Sequence, residues 1–120
     1  MNDQLDAMQD QQLNELFAKH VCNYLILGSV IEGEILCGVR GTPGNGAFHL
    51  PSFCTNVNAV LPWLEKWQVT AEHIADRPLS WHVLCEDDEL CYVGRAKTFG
   101  RAAVLASIRA KLAQAPAAAD

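Results

Sequence analysis

Residues 78–94, PLSWHVLCEDDELCYVG, decide the fold. Leu79, Trp81, Val83 and Cys85 alternate with Ser80, His82 and Leu84, the period of two that marks a β-strand. The acidic run Glu86 to Glu89 supplies a turn, and LCYVG after it reads as the returning strand. A loop of two or four residues centred on Asp87 and Asp88 sets Cys85 opposite Leu90 and Leu84 opposite Cys91. One face then carries Leu79, Trp81, Val83, Cys85, Leu90 and Tyr92, and the other His82, Leu84, Cys91 and Val93. Cys85 and Cys91 point to opposite faces in this register, whereas a three-residue loop would pair them. Both faces are apolar, so the sheet calls for cover on each side, and three layers fit better than two.

Upstream of this hairpin, VTAEHI (69–74) alternates well enough for a strand, although Thr70 could also cap a short helix. The turn chemistry of ADRP (75–78) favours the strand. Downstream, Thr98 is placed to cap a helix, FGRAAVLASIRAKLAQ, with Val104, Leu105, Ile108 and Leu112 as its apolar stripe. Its small residues, alanine above all, permit close approach to a sheet.

HLPSFCTNVNAVLPWLEKW (49–67) predicts a second helix, with Thr55 as N-cap and Val57, Val60, Leu61 and Leu64 on its buried side. Pro62 conflicts with a regular helix, because it removes the amide that would bond to the Asn58 carbonyl. A proline in a helix interior costs about 3 kcal/mol. The helix therefore either kinks near Asn58 or begins late. Leu5, Met8, Leu13, Leu16, Phe17 and Val21 form the stripe of a first, surface helix. Tyr24 to Val39 holds short apolar pieces around GSVIEGE, a hairpin or an extended arm, and RGTPGNGAFHLP (40–51) is a loop.

The architecture expected is α+β, an alpha-beta-alpha sandwich in which an antiparallel sheet of three or more strands is covered by about three helices. One domain spans 1–114, followed by a flexible tail at 115–120. Half of the 120 residues are hydrophobic, enough for one core without metal or disulfide staples. Nine basic against fourteen acidic residues, a net charge of -5, disfavour a general nucleic-acid surface. The five cysteines form no close pair, and the polar start MNDQLDAMQDQQLNE is unlike a signal peptide, which points to reduced thiols in a cytoplasmic protein. YLILGSVI is too short to span a membrane, so no membrane partner is expected.

Residues able to hold a ligand gather at three places. The glycine-rich loop offers Arg40, Gly44, Asn45, Gly46 and His49, and although it lacks the lysine and Ser/Thr ending of a P-loop, its amides suit a small anion. The second helix start offers Thr55, Asn56 and Asn58. Near the last helix, Arg95, Lys97 and Arg101 cluster, with Arg109 further along, and of these Arg95 and Arg101 are the candidates. No catalytic set stands out, and no cofactor is implied. Cys54 and His49 could be paired as nucleophile and base, but nothing supplies an orienting acid or an oxyanion site. A zinc set from His49, Cys54, His82 and Cys91 lacks the close ligand pairs of tetrahedral sites.

The order of these motifs resembles the phage ABA sandwich domain family, small proteins of phages and prophages, over roughly residues 12–112. Pro51, Phe53, Thr55, Asn56 and Asn58 stand at the family's first motif, the capped start of an amphipathic helix, and Thr98, Phe99 and Ala102 at its second, the start of the closing helix. The chain departs from the family at Asn56, where an acidic residue is usual, at Pro62, and in its longer, more apolar 24–48 segment. The resemblance implies the sandwich fold and a phage or prophage setting, and no reaction. The function expected is a non-enzymatic module that binds a protein or a small molecule. One version is a host-defence antagonist holding a nucleotide-like signal between the loop at 41–46 and Arg95 or Arg101. A small Cys54/His49 enzyme is the rival. A structural assembly subunit, a homo-oligomer paired through the apolar 24–37 arm, is the third reading.

Overall fold

A computed structural model describes residues 5–31, 34–39, 48–65, 67–87 and 90–114. The fold is α+β, with two three-stranded antiparallel sheets and three helices. The first sheet, in the order β1-β2-β3, comprises β1 (Tyr24–Ile31), β2 (Glu34–Val39) and β3 (Phe48–His49). The second, β4-β5-β6, comprises β4 (Gln68–His73), β5 (Trp81–Glu86) and β6 (Cys91–Ala96). The helices are α1 (Asp10–Leu16), α2 (Val57–Val60) and α3 (Phe99–Gln114). β1 and β2 thus pair as a hairpin, and the strand expected at 69–74 is Gln68–His73.

Within the strands the predicted β5–β6 faces hold, but Leu79 and Leu90, expected on the inner face, lie outside the strands and are exposed, and the register differs by two residues. Glu86 pairs with Cys91, Cys85 with Tyr92 and Leu84 with Val93. The Asp87 side chain accepts from the Leu90 amide at 2.8 Å and the Asp87 amide donates to the Leu90 carbonyl at 3.0 Å, so Leu90 closes the turn instead of extending the strand. A two-residue slip preserves the faces, since side chains alternate with period two. Val83, Cys85 and Ala96 are buried on the inner face. The outer face is covered less completely than its apolar content suggests: Leu84 and Val93 are half-buried, while Cys91 and Arg95 are exposed.

α3 explains that asymmetry. Every residue from Ala102 to Ile108 is buried, so the helix is enclosed all round instead of presenting one stripe, and Leu112, expected on the stripe, is 45% exposed. It packs on β5 and β6 and also against α1, the turn after α1, and α2, which therefore reach the sheet through α3. Gly94 makes this possible, because a Cβ there would collide with the Ala102 carbonyl oxygen and lie 2.6 Å from the Ala106 nitrogen. Ser107, enclosed with the alanines, donates its hydroxyl to the Ala103 carbonyl at 2.8 Å.

The single N-terminal helix expected from the Leu5–Val21 stripe is divided. Leu5–Ala7 is a 3-10 turn, α1 starts after Gln9, and the last turn, Phe17–Val21, widens to a π-helix. Arg101 donates to the carbonyls of Asp6 and Met8, at 3.1 and 2.6 Å, which a continuous helix would have used internally. Asn23, at φ 61°, then turns the chain into β1, a left-handed conformation that asparagine tolerates.

The second helix also starts one residue later than expected. Thr55 lies in a turn in which its amide and hydroxyl both point to the Ser52 carbonyl, and Asn56 is the cap, accepting from the Asn58 amide at 3.2 Å. The Leu61 amide bonds to the Val57 carbonyl, and Pro62 has no amide to make the next α-helical bond. The chain tightens there into a 3-10 turn, Leu61–Leu64, with Pro62 in its first positions. The proline therefore ends the α-helix and opens the 3-10 turn.

Candidate ligand-binding cleft

The start of α3, the end of β6 and the N-terminal segment enclose a cleft of about 410 Å³. Thr98 positions its inner wall: the Thr98 hydroxyl accepts from the Arg101 amide at 3.3 Å, and its carbonyl from the Ala102 amide at 3.1 Å. This cap fixes the first turn of α3 beside Lys97 and Arg95. Opposite stand Asp6 and Asp10, with Thr55 and Leu79 completing the rim. A hollow of about 290 Å³, which shares Asp6, Leu79 and Arg95, continues toward Val93 and Arg109.

The charges here divide into a paired and an unpaired set. Arg101 contacts the Asp10 carboxylate at 2.6 Å and holds two backbone carbonyls, so it serves as a structural clasp. Arg109 spans the Asp6 carboxylate at 3.0 Å and the Val93 carbonyl at 2.6 Å. Arg95 and Lys97, both exposed, enter no ion pair or hydrogen bond among the described residues. The cleft therefore offers two free cations, the Thr98 hydroxyl and one partly exposed leucine, and its acids are already neutralised. The N-terminal end of α3, a sixteen-residue helix, adds a partial positive charge.

Of the residues proposed from the sequence, Thr55, Arg95 and Arg101 come together in this cleft. Arg40, Gly44, Asn45 and Gly46 lie outside the described residues. His49 is exposed on β3 opposite Leu36, and Asn56 and Asn58 are exposed and tied to each other in the cap. Sequence reasoning missed Asp6 and Asp10, whose contacts with α3 span about ninety residues and leave no local signal. Lys97 was visible in the basic cluster.

Cys54 belongs to the core. Its amide donates to the buried Asn14 side chain at 2.9 Å, and its Sγ lies 3.8 Å from the Asp10 carbonyl oxygen. Burial pushes its thiol up to about 12, with Asp10 adding to the shift and Arg101 opposing it. A nucleophilic cysteine needs the opposite environment. Among the described residues no three His, Cys, Asp or Glu side chains converge to hold a metal ion, and no helix is long and apolar enough to cross a membrane.

No family model matches the sequence, and no curated protein does. Its fold is similar to that of a phage protein from Bacillus cereus ATCC 14579, known from a crystal structure. The TM-score is 0.66 at 17% identity, over 90% of this chain and 97% of that one.

Proposed function

We propose that the protein is a phage-type binding module that takes a small acidic molecule into the cleft between β6, α3 and the N-terminal segment. The observation that carries this reading is the unpaired state of Arg95 and Lys97 at the mouth of a cleft in a chain of net charge -5. Free cations in an acidic protein normally find carboxylates, and here the nearest carboxylates are held by other arginines. The Thr98 hydroxyl, which accepts from the Arg101 amide and keeps its own hydrogen, suits an oxygen of a carboxylate or phosphate, and Leu79 gives a carbon skeleton a place to rest. The likeness of fold to a phage protein supports the phage setting. A host-defence antagonist that sequesters an acidic signal is the version of this role the cleft's chemistry suits.

The test is a titration by calorimetry and thermal melting with inorganic phosphate, citrate and nucleoside monophosphates. Mass spectrometry of molecules released on denaturation runs alongside it. A ligand at a hundredfold excess over its Kd stabilises by about 2.7 kcal/mol. An R95E/K97E double variant, both positions being exposed, should keep its fold and lose the shift. No binding by any anion, together with no released ligand, overturns the proposal.

A further inference from the structure

A strand at the edge of a sheet exposes unpaired backbone groups, and proteins guard such edges by brevity, charge, proline or cover. The two sheets have four edges, and three are guarded. β3 has only two residues, and β4 carries Gln68, Thr70, Glu72 and His73 in exposed positions. The β6 edge is closed by Arg109 on the Val93 carbonyl, with Asp6 holding the guanidinium. β1 is the least guarded among the described residues, its register irregularity lying only between Ile26 and Val30 and the turn Phe17–Val21 packing beside it. Its eight residues, YLILGSVI, contain no charge and no proline, and no strand lies on its outer side among the described residues.

A groove of about 430 Å³ runs beside the first half of this edge, between Tyr24, Leu25 and Ile26 on one side and Glu15, Leu16 and Lys19 on the other. Leu27, the next residue, is 47% exposed. We infer that β1 pairs antiparallel with β1 of a second copy of this chain, joining the two first sheets into one of six strands. The pairing centres on Ile26, with Ile26 opposite its own copy and Leu25 opposite Leu27, because the β1–β2 register is regular from Tyr24 to Ile26 and slips only between Ile26 and Val30. Each strand then occupies the other's groove, and apolar residues oppose apolar residues.

The groove wall selects a second copy over an unrelated strand. Glu15 and Lys19 lie one helical turn apart on that wall and make no ion pair with each other among the described residues. A two-fold axis through the strand pair brings Lys19 of each copy toward Glu15 of the other. A wall bearing both signs is complementary to itself, and it meets an apolar peptide with two unpaired charges.

Light scattering after size exclusion across the micromolar range tests this. The expected mass is twice the 13.1 kDa of the chain. Leu27→Lys places a gatekeeper charge on a side chain already exposed, so the circular dichroism spectrum should be unchanged and the mass should fall to that of one chain. Glu15→Lys should weaken the dimer about tenfold or more, and the E15K/K19E double variant should restore it. A single-chain mass for the wild type at every concentration overturns the inference and leaves the edge to a strand of another protein. A dimer that survives Leu27→Lys overturns it equally. Binding of anions at Arg95 and Lys97 should be indifferent to Leu27→Lys, which separates this surface from the cleft.

Discussion

Gly94 and the buried cysteines show how much single residues decide in this protein. Gly94→Ala drives a methyl group into the backbone of α3, and overpacking of this kind costs about 1–3 kcal/mol. A urea melt should show a lower midpoint with an unchanged slope. Four thiols, those of Cys22, Cys37, Cys54 and Cys85, are buried and Cys91 is exposed, so a thiol reagent at neutral pH should modify Cys91 first and the others only on unfolding. Burial raises both Cys54 and Cys85 from 9 to about 12. Between those values the unfolded chain releases protons that the folded chain keeps, so stability falls as pH rises through this window. The slope is up to about 1.4 kcal/mol per pH unit for each thiol, and below pH 9 these groups contribute no pH dependence. Unfolding free energies measured at pH 8 and pH 10.5 would check the sign. Of the residues that line the cleft, Arg95 was legible because its charge sits on a strand of clear period. The structural use of Arg101 was not, since its partners Asp6, Met8 and Asp10 are remote in sequence.

Elements were legible wherever their signals were local. The strand periods at 69–74 and 79–85, and Thr98 three residues ahead of the Arg101 amide, led to the right structures. The failures occurred where a tertiary partner competed with the local pattern. Arg101 interrupts the N-terminal stripe by claiming two carbonyls, and Ser52 occupies the hydroxyl that would have made Thr55 a cap. Pro62 is an instructive case, because its effect on stability has a definite sign. Were it straining a helix interior, Pro62→Ala would stabilise by about 3 kcal/mol. Sitting in the first positions of a 3-10 turn, it fits its site, and the substitution should instead destabilise by about 0.4–1 kcal/mol through the freer unfolded chain. A pair of chemical denaturation curves distinguishes the two.

For the whole molecule, α+β architecture followed from composition and periodicity, but the division into two sheets did not. The apolar 24–39 segment and the 69–96 meander both read as strands, and nothing in either tells whether they share hydrogen bonds. The second sheet's half-open outer face follows from the same limit, since α3's burial on all sides is a property of its neighbours and not of its own stripe. One consequence concerns the order of events in folding. The clasp formed by Arg101 joins residues separated by 91 to 95 positions, and the β1–β2 hairpin joins residues much nearer each other. Contacts so distant pay their loop-closure entropy late. On a ribosome the hairpin can therefore assemble, with its bare edge displayed, well before α3 emerges. The acidic wall of the cleft is put in place only when synthesis has passed Arg109, so the cleft is completed after the hairpin.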